Sequence, residues 1–166
     1  MKHFFVGRYY AVSRLDLRYR EALENIVFFN AEQWRIRAAM LHAIERFGNP
    51  RIIARDSSLV LELDGEPQVQ TLYVLKEEGS TARLSGVVVF TRKEASLHVI
   101  YVGLEPADAH GPGEQDYLFV EIFQLLRGIG RRILGIKFIE FNKGPRQLRL
   151  SVGVPGSGSK STGPTP

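Results

Sequence analysis

From Ile52 to Leu104 the chain is a succession of β-branched and aromatic runs joined by connections too short for anything but antiparallel pairing. Residues 59–63 run into Asp64-Gly65, a tight-turn signal. Residues 69–76, 82–92 and 97–103 come next, separated by Glu77-Glu78-Gly79-Ser80 and Lys93-Glu94-Ala95-Ser96. This spacing predicts a β-meander, and the rest of the chain must cover its faces.

The segment after the meander is equally constrained. Residues 105–113 (Glu-Pro-Ala-Asp-Ala-His-Gly-Pro-Gly) read as a loop. Leu118, Ile122, Leu125, Ile129 and Ile133 then recur at helical spacing, with Glu121, Gln124, Arg127 and Arg131 on the other side. Gly128 and Gly130 each weaken such a helix by about 1 kcal/mol, so its last turns are expected to be irregular. Gly135 ends it, residues 136–141 form a strand, Asn142-Lys143-Gly144-Pro145 turns the chain, and residues 147–152 form a last strand.

Before the meander, residues 4–12 have strand character. Asp16 is placed to cap a helix reaching Phe29, with Tyr19, Leu23, Ile26 and Val27 on one face. Asn30 and Gln33 stand at capping-box spacing and open a second helix whose apolar stripe is Ile36, Met40, Ile44 and Phe47. Gly48 and Pro50 stop it. The order predicts a single α+β domain over residues 1–152, with a disordered Gly/Ser/Pro tail at 153–166.

Composition narrows the chemistry. A chain of 166 residues with 44% hydrophobic and 24% charged residues can bury one core. It has no Cys, which removes disulfides, thiolate metal sites and a cysteine nucleophile. The histidines His3, His42, His98 and His110 lack ligand spacing with one another or with carboxylates, so no metal site is expected. No apolar stretch approaches the roughly 18 residues of a membrane span, and the run Phe4-Phe5-Val6 is too short for a signal-peptide core and is followed by no small-residue cleavage pattern, which points to a cytoplasmic protein. The net charge of +4 comes from dispersed Arg and Lys, which reads as solvated surface rather than a nucleic-acid groove. The densest basic group is Arg127, Arg131, Arg132 and Lys137 with Arg146 and Arg149, read as a helix face and an edge strand or as an anion or RNA site. Tyr117, Phe119 and Phe123 are more aromatic than one buried helix face requires, and fit core packing, a ligand cavity or a homodimer contact.

The order β-α-α-meander-α-β-β resembles the GNAT acyltransferase superfamily over roughly residues 30–141. The segment Arg131-Arg132-Ile133-Leu134-Gly135-Ile136-Lys137-Phe138-Ile139 resembles the junction where that family's central helix enters the next strand. Asp108-Ala109-His110-Gly111-Pro112-Gly113 has both glycines of the family's Gln/Arg-x-x-Gly-x-Gly/Ala cofactor loop, with Asp108 and Pro112 as departures that weaken phosphate binding. The resemblance implies an N-acyltransferase fold and an acetyl-CoA or other acyl-CoA cofactor. Backbone groups of Tyr101, Val102 and Gly103 would meet the pantetheine, and amides near His110, Gly111 and Gly113 the pyrophosphate. It also implies Glu105 as the base for an attacking amine, on a small molecule or a protein, beside the plainer reading of an exposed loop carboxylate. The family's second helix and closing strands have little room after Phe141, and its general-acid tyrosine has no counterpart. Two alternatives stand beside this reading: a catalytically silent relative, and a helix-grip ligand-binding fold in which the long helix would end the domain.

Overall fold

The computed structural model describes residues 3–29, 43–109, 115–143 and 146–153. Its elements are β1 (His3–Val6), β2 (Tyr9–Val12), β3 (Leu15–Asp16), α1 (Arg20–Phe28), β4 (Pro50–Arg55), β5 (Ser58–Leu63), β6 (Gln70–Glu78), β7 (Thr81–Lys93) and β8 (Ser96–Leu104). A short helical turn α2 (Pro106–Ala109), the long helix α3 (Gln115–Arg132), β9 (Phe138–Lys143) and β10 (Arg146–Ser151) complete them. Seven strands form one sheet in the order β1-β2-β6-β7-β8-β9-β10, and β3, β5 and β4 form a small second sheet. Every pairing is antiparallel except β8 with β9, which are parallel and joined through α3. The protein is a mixed α+β fold on a mostly antiparallel sheet.

The centre of the main sheet, strands β6 to β8, is buried on both faces, and the alternation of its strands decides which residue goes where. Tyr73, Leu75, Leu84, Val87 and Val89 point toward α1 and the small sheet, packing with Leu23, Ile26, Leu59 and Leu61. Leu72, Val74, Val88, Phe90, Leu97 and Val99 point the other way, onto Leu118, Ile122, Phe123 and Leu126 of α3. Tyrosine hydroxyls tie the first layer together. Tyr19 donates to the Ala82 carbonyl, Tyr73 to Leu59 and Tyr101 to Ile26. Burial pushes the Tyr73 and Tyr101 hydroxyls up to about 12, so both remain donors at neutral pH.

The meander and the amphipathic helix lie where the residue pattern predicts them. Asp16, however, caps a short 3-10 turn at Leu17–Tyr19, accepting from the Arg18 N–H at 2.9 Å, and α1 follows with Tyr19 at its N-cap and no side-chain cap bond. Several details differ. Residues 4–12 are not one strand: the chain reverses at Gly7-Arg8 and β1 folds back on β2. The two-residue hairpin is at Asp56-Ser57, where both φ angles are positive (49° and 61°), between β4 and β5. Asp64-Gly65 also turns, but Gly65 N–H donates to the Phe47 carbonyl at 2.9 Å, so that turn docks on the helical residues 43–47. The proposed cap Asn30-Gln33 and the stripe residues Ile36 and Met40 lie outside the described residues. So does the tail from residue 154.

The helix α3 is continuous through Gly128 and Gly130, against expectation. A Cβ at Gly130 would approach Val152 and Ile136 side-chain carbons to 3.1 and 3.2 Å, so glycine lets the helix press onto the chain after it. Arg127 Nε donates to the Ser151 carbonyl at 3.1 Å and Arg131 Nε to the Val152 carbonyl at 2.9 Å, which fastens that contact. These two members of the basic group hold carbonyls at the end of β10. The strands β9 and β10 extend the sheet beyond α3, whereas in a helix-grip fold the helix would end the domain.

Candidate functional site at the open end of strand β8

Strand β8 is paired to β9 over only its first half. The register runs from Ser96↔Phe138 to Val99↔Phe141 and stops. Beyond that point β9 continues with β10, through Asn142↔Gln147 and Lys143↔Arg146, while β8 continues with β7 to Leu104. The two parallel strands therefore part. The register of β8 on β7 shifts between Val89 and Phe90, leaving Ile100 as the extra residue of a bulge at the first position past the last β8–β9 pair.

The phase of the β7–β8 ladder says which backbone groups face the opening. Glu105 N–H donates to the Ser85 carbonyl at 2.8 Å, so Gly103 and Tyr101, in the same phase, turn their backbone toward β7. Val102 turns its N–H and C=O to the side that β9 has left. Of the three residues that the sequence resemblance assigns to pantetheine, this geometry singles out Val102. Tyr101 and Gly103 serve the other layer: a Cβ at Gly103 would lie 2.6 Å from the Tyr101 hydroxyl and 2.8 Å from Ile26 Cγ2, so only glycine fits under α1.

Glu105 comes directly after the strand and is half-buried. Its carbonyl accepts from the Asp108 N–H at 2.9 Å, closing α2. Residues 106–109 are thus helical rather than loop. His110, Gly111 and Gly113 lie outside the described residues, between α2 and the N-terminal end of α3.

The sequence resemblance makes Asp108 a negative charge in a cofactor loop, and its placement is the opposite. It is buried, and its carboxylate lies across a row formed by three paired strands, Tyr9↔Lys76↔Arg83. Arg83 donates to both oxygens, at 2.8 and 3.0 Å, Tyr9 Oη donates at 3.0 Å and Lys76 Nζ at 3.3 Å. Burial works against the charge, but Arg83, Ser85 and Tyr9 outweigh it and hold the carboxyl below its ordinary value. The Ser85 hydroxyl is near enough to contribute while standing outside hydrogen-bonding geometry. Without Asp108, the cations Lys76 and Arg83 would face each other directly across β6 and β7. The carboxylate thereby pins the turn after β8 to strands that precede it by up to 99 residues in sequence.

A second polar row, which sequence reasoning missed, crosses the paired end of β8 on the opposite face. His98, Glu140 and Arg149 are register neighbours on β8, β9 and β10. Arg149 Nη2 lies 2.6 Å from Glu140 Oε1, and Gln147 Nε2 donates to Oε2 at 3.2 Å. Burial raises the Glu140 carboxyl, but Ser96, Arg149 and His98 together bring it below its usual range. His98 is buried beside Phe47, with ring centroids 5.8 Å apart, and its Nε2 finds no partner among the described residues. Burial, then Lys93 and Arg46, lower its pKa despite Glu140, so the ring is neutral at pH 7. The available signal was Glu140 itself, the single carboxylate in the mostly apolar run 136–141.

No protein-family model, curated protein or solved structure matches the chain. No helix among the described residues is long and apolar enough to cross a membrane. Of the aromatic group on α3, Phe123 is buried between Phe141 (centroids 4.4 Å) and Phe119 (4.8 Å), and Phe119 remains exposed.

Proposed function

We propose that this protein is a GNAT-like acyltransferase that moves an acyl group from an acyl-CoA to an amine. The observation that carries this reading is the parting of β8 from β9 after Val99↔Phe141, with the bulge at Ile100 marking the place. An extended thioester arm laid in that opening would hydrogen-bond to Val102 as a missing strand would. The chain then leads through α2 to the N-terminal end of an 18-residue helix, where unpaired N–H groups and the helix dipole favour a phosphate. His110, Gly111 and Gly113 occupy the connection that would cradle it.

The chemistry asks little more of the fold. The amine lone pair attacks the thioester carbonyl carbon, a tetrahedral intermediate forms, and the C–S bond breaks. The amide is released and the CoA sulfur leaves as a thiolate that takes up a proton. Glu105, five extended residues or roughly 16 Å beyond the bulge, takes up the proton lost by the amine through intervening water rather than by direct contact. Asp108 stays out of this step, because its charge is balanced by Arg83 and Lys76. The acceptor is a small-molecule or protein amine, and a cytoplasmic setting and a second copy of the chain belong to the same proposal.

One observation favours a silent relative of that family: β9 and β10 are paired antiparallel with only two residues between them, too few for a helix where the family carries its general-acid tyrosine. Calorimetric titration with acetyl-CoA and CoA separates the outcomes. Micromolar binding lost on replacing Gly111 or Gly113 by Trp supports the cofactor site. Turnover of an amine that falls by about 10²–10⁴ in Glu105→Gln, with CoA binding retained, supports the enzyme. Binding without any turnover leaves the silent scaffold, and no binding at millimolar concentration removes the reading.

A further inference from the structure

An apolar cavity lies on the α1 face of the main sheet, walled by Val27, Ile44, Leu61, Val89, Ile100 and Tyr101. Two of these residues are informative. Ile100 and Tyr101 are the first two positions of β8 beyond its last pair with β9, so the cavity adjoins the strand where the opening begins. The Tyr101 ring is fixed there, because its hydroxyl donates to the Ile26 carbonyl at 3.1 Å. Gly103, which admits no Cβ, keeps the space beside that ring closed to further side chains.

The volume of the cavity is about 40 Å³. On this measure a single water-sized group needs about 10–15 Å³, so the space holds roughly three heavy atoms. Among the described residues no charged side chain lines it. A water cluster would find no partners on such walls, whereas a short hydrocarbon chain would lose nothing by entering.

Resting on the acyltransferase reading, we infer that this cavity is the seat of the acyl chain, and that the donor is a short-chain acyl-CoA of butyryl size. A thioester whose carbonyl lies at the bulge would direct its chain past Ile100 toward the α1 face. Three carbons beyond the carbonyl fill the space. Acetyl leaves most of it empty, and an octanoyl chain exceeds it.

The test is calorimetric titration of the full chain with CoA, acetyl-CoA, butyryl-CoA and octanoyl-CoA. Butyryl-CoA is expected to bind roughly tenfold more tightly than acetyl-CoA, because two more methylenes leave water, and octanoyl-CoA more weakly than butyryl-CoA. Ala43→Leu, which adds bulk at the cavity wall, should remove the butyryl preference while leaving acetyl-CoA affinity and the melting temperature near wild type. Should that variant fail to fold, Val89→Ala enlarges the same space and should move the preference to a longer chain. Equal affinity for all three thioesters, unchanged in either variant, would make the cavity a packing void and overturn the inference while the cofactor reading stands. No binding of any CoA compound overturns both.

Discussion

The two polar rows that cross the main sheet lie on opposite faces and at opposite ends of β8, and each is centred on a buried carboxylate. At the paired end, Glu140 takes its bonds from Gln147 and Arg149, seven and nine residues along the same β9–β10 hairpin. At the open end, Asp108 takes its bonds from β2, β6 and β7, from residues 25 to 99 positions away. The partner cations differ as well: the Arg149 side chain is 60% exposed, that of Arg83 33%. Where strand pairing already holds the backbone, local side-chain bonds accompany it. Where strand pairing stops, bonds from distant strands fix the turn instead.

This contrast can be broken by mutation. Arg83→Met would leave Asp108 buried without its two-pronged partner, and should lower unfolding free energy by about 3 kcal/mol, the scale for a buried carboxylate that loses its cation. Urea unfolding with an unchanged slope is the measurement. Gly103→Val should cost about 1–3 kcal/mol by the same assay, since the side chain meets Tyr101 and Ile26.

Acid unfolding sharpens the comparison further. The folded state keeps His98 neutral, so the unfolded chain takes up that proton first. Its contribution is present above about pH 6.5 and is lost as pH falls through the depressed folded value. Asp108 and Glu140 are also depressed, so their contributions persist to lower pH and disappear below the ordinary carboxylate range. Stability measured across pH 3–8 should therefore fall in two stages, and His98→Leu should flatten the upper one alone. A single fall below pH 4 in the native sequence would contradict the assignment of His98. The smallest effect is expected for Arg149→Met, at most about 1 kcal/mol, because water already screens its charge. A cost equal to that of Arg83→Met would erase the difference between the two ends.

The contrast also explains what could be read from residues alone. Alternation and turn chemistry are local, so the meander, α1, α3 and the closing hairpin were legible from apolar spacing. The N-terminal hairpin at Gly7-Arg8 was not, because its turn is flanked by residues equally suited to one continuous strand. Asp64-Gly65 outweighs Asp56-Ser57 in the residue pattern, since a Gly-containing dipeptide is the stronger signal although both turn the chain. The candidate site was legible only in part. Glu105 directly follows β8 as the residue pattern puts it, but the phase that separates Val102 from Tyr101 and Gly103 depends on pairing with β7.

The amino-acid sequence by itself determined the meander over β6 to β8, the two helices α1 and α3 and the closing hairpin, because each depends on local periodicity and turn chemistry. Tertiary structure alone decided that Asp108 points inward to Tyr9, Lys76 and Arg83, that His98 meets Glu140, and that β8 parts from β9 after Val99. Those features depend on register between strands distant in sequence. A shift of one residue in any pairing would turn every side chain concerned to the other face.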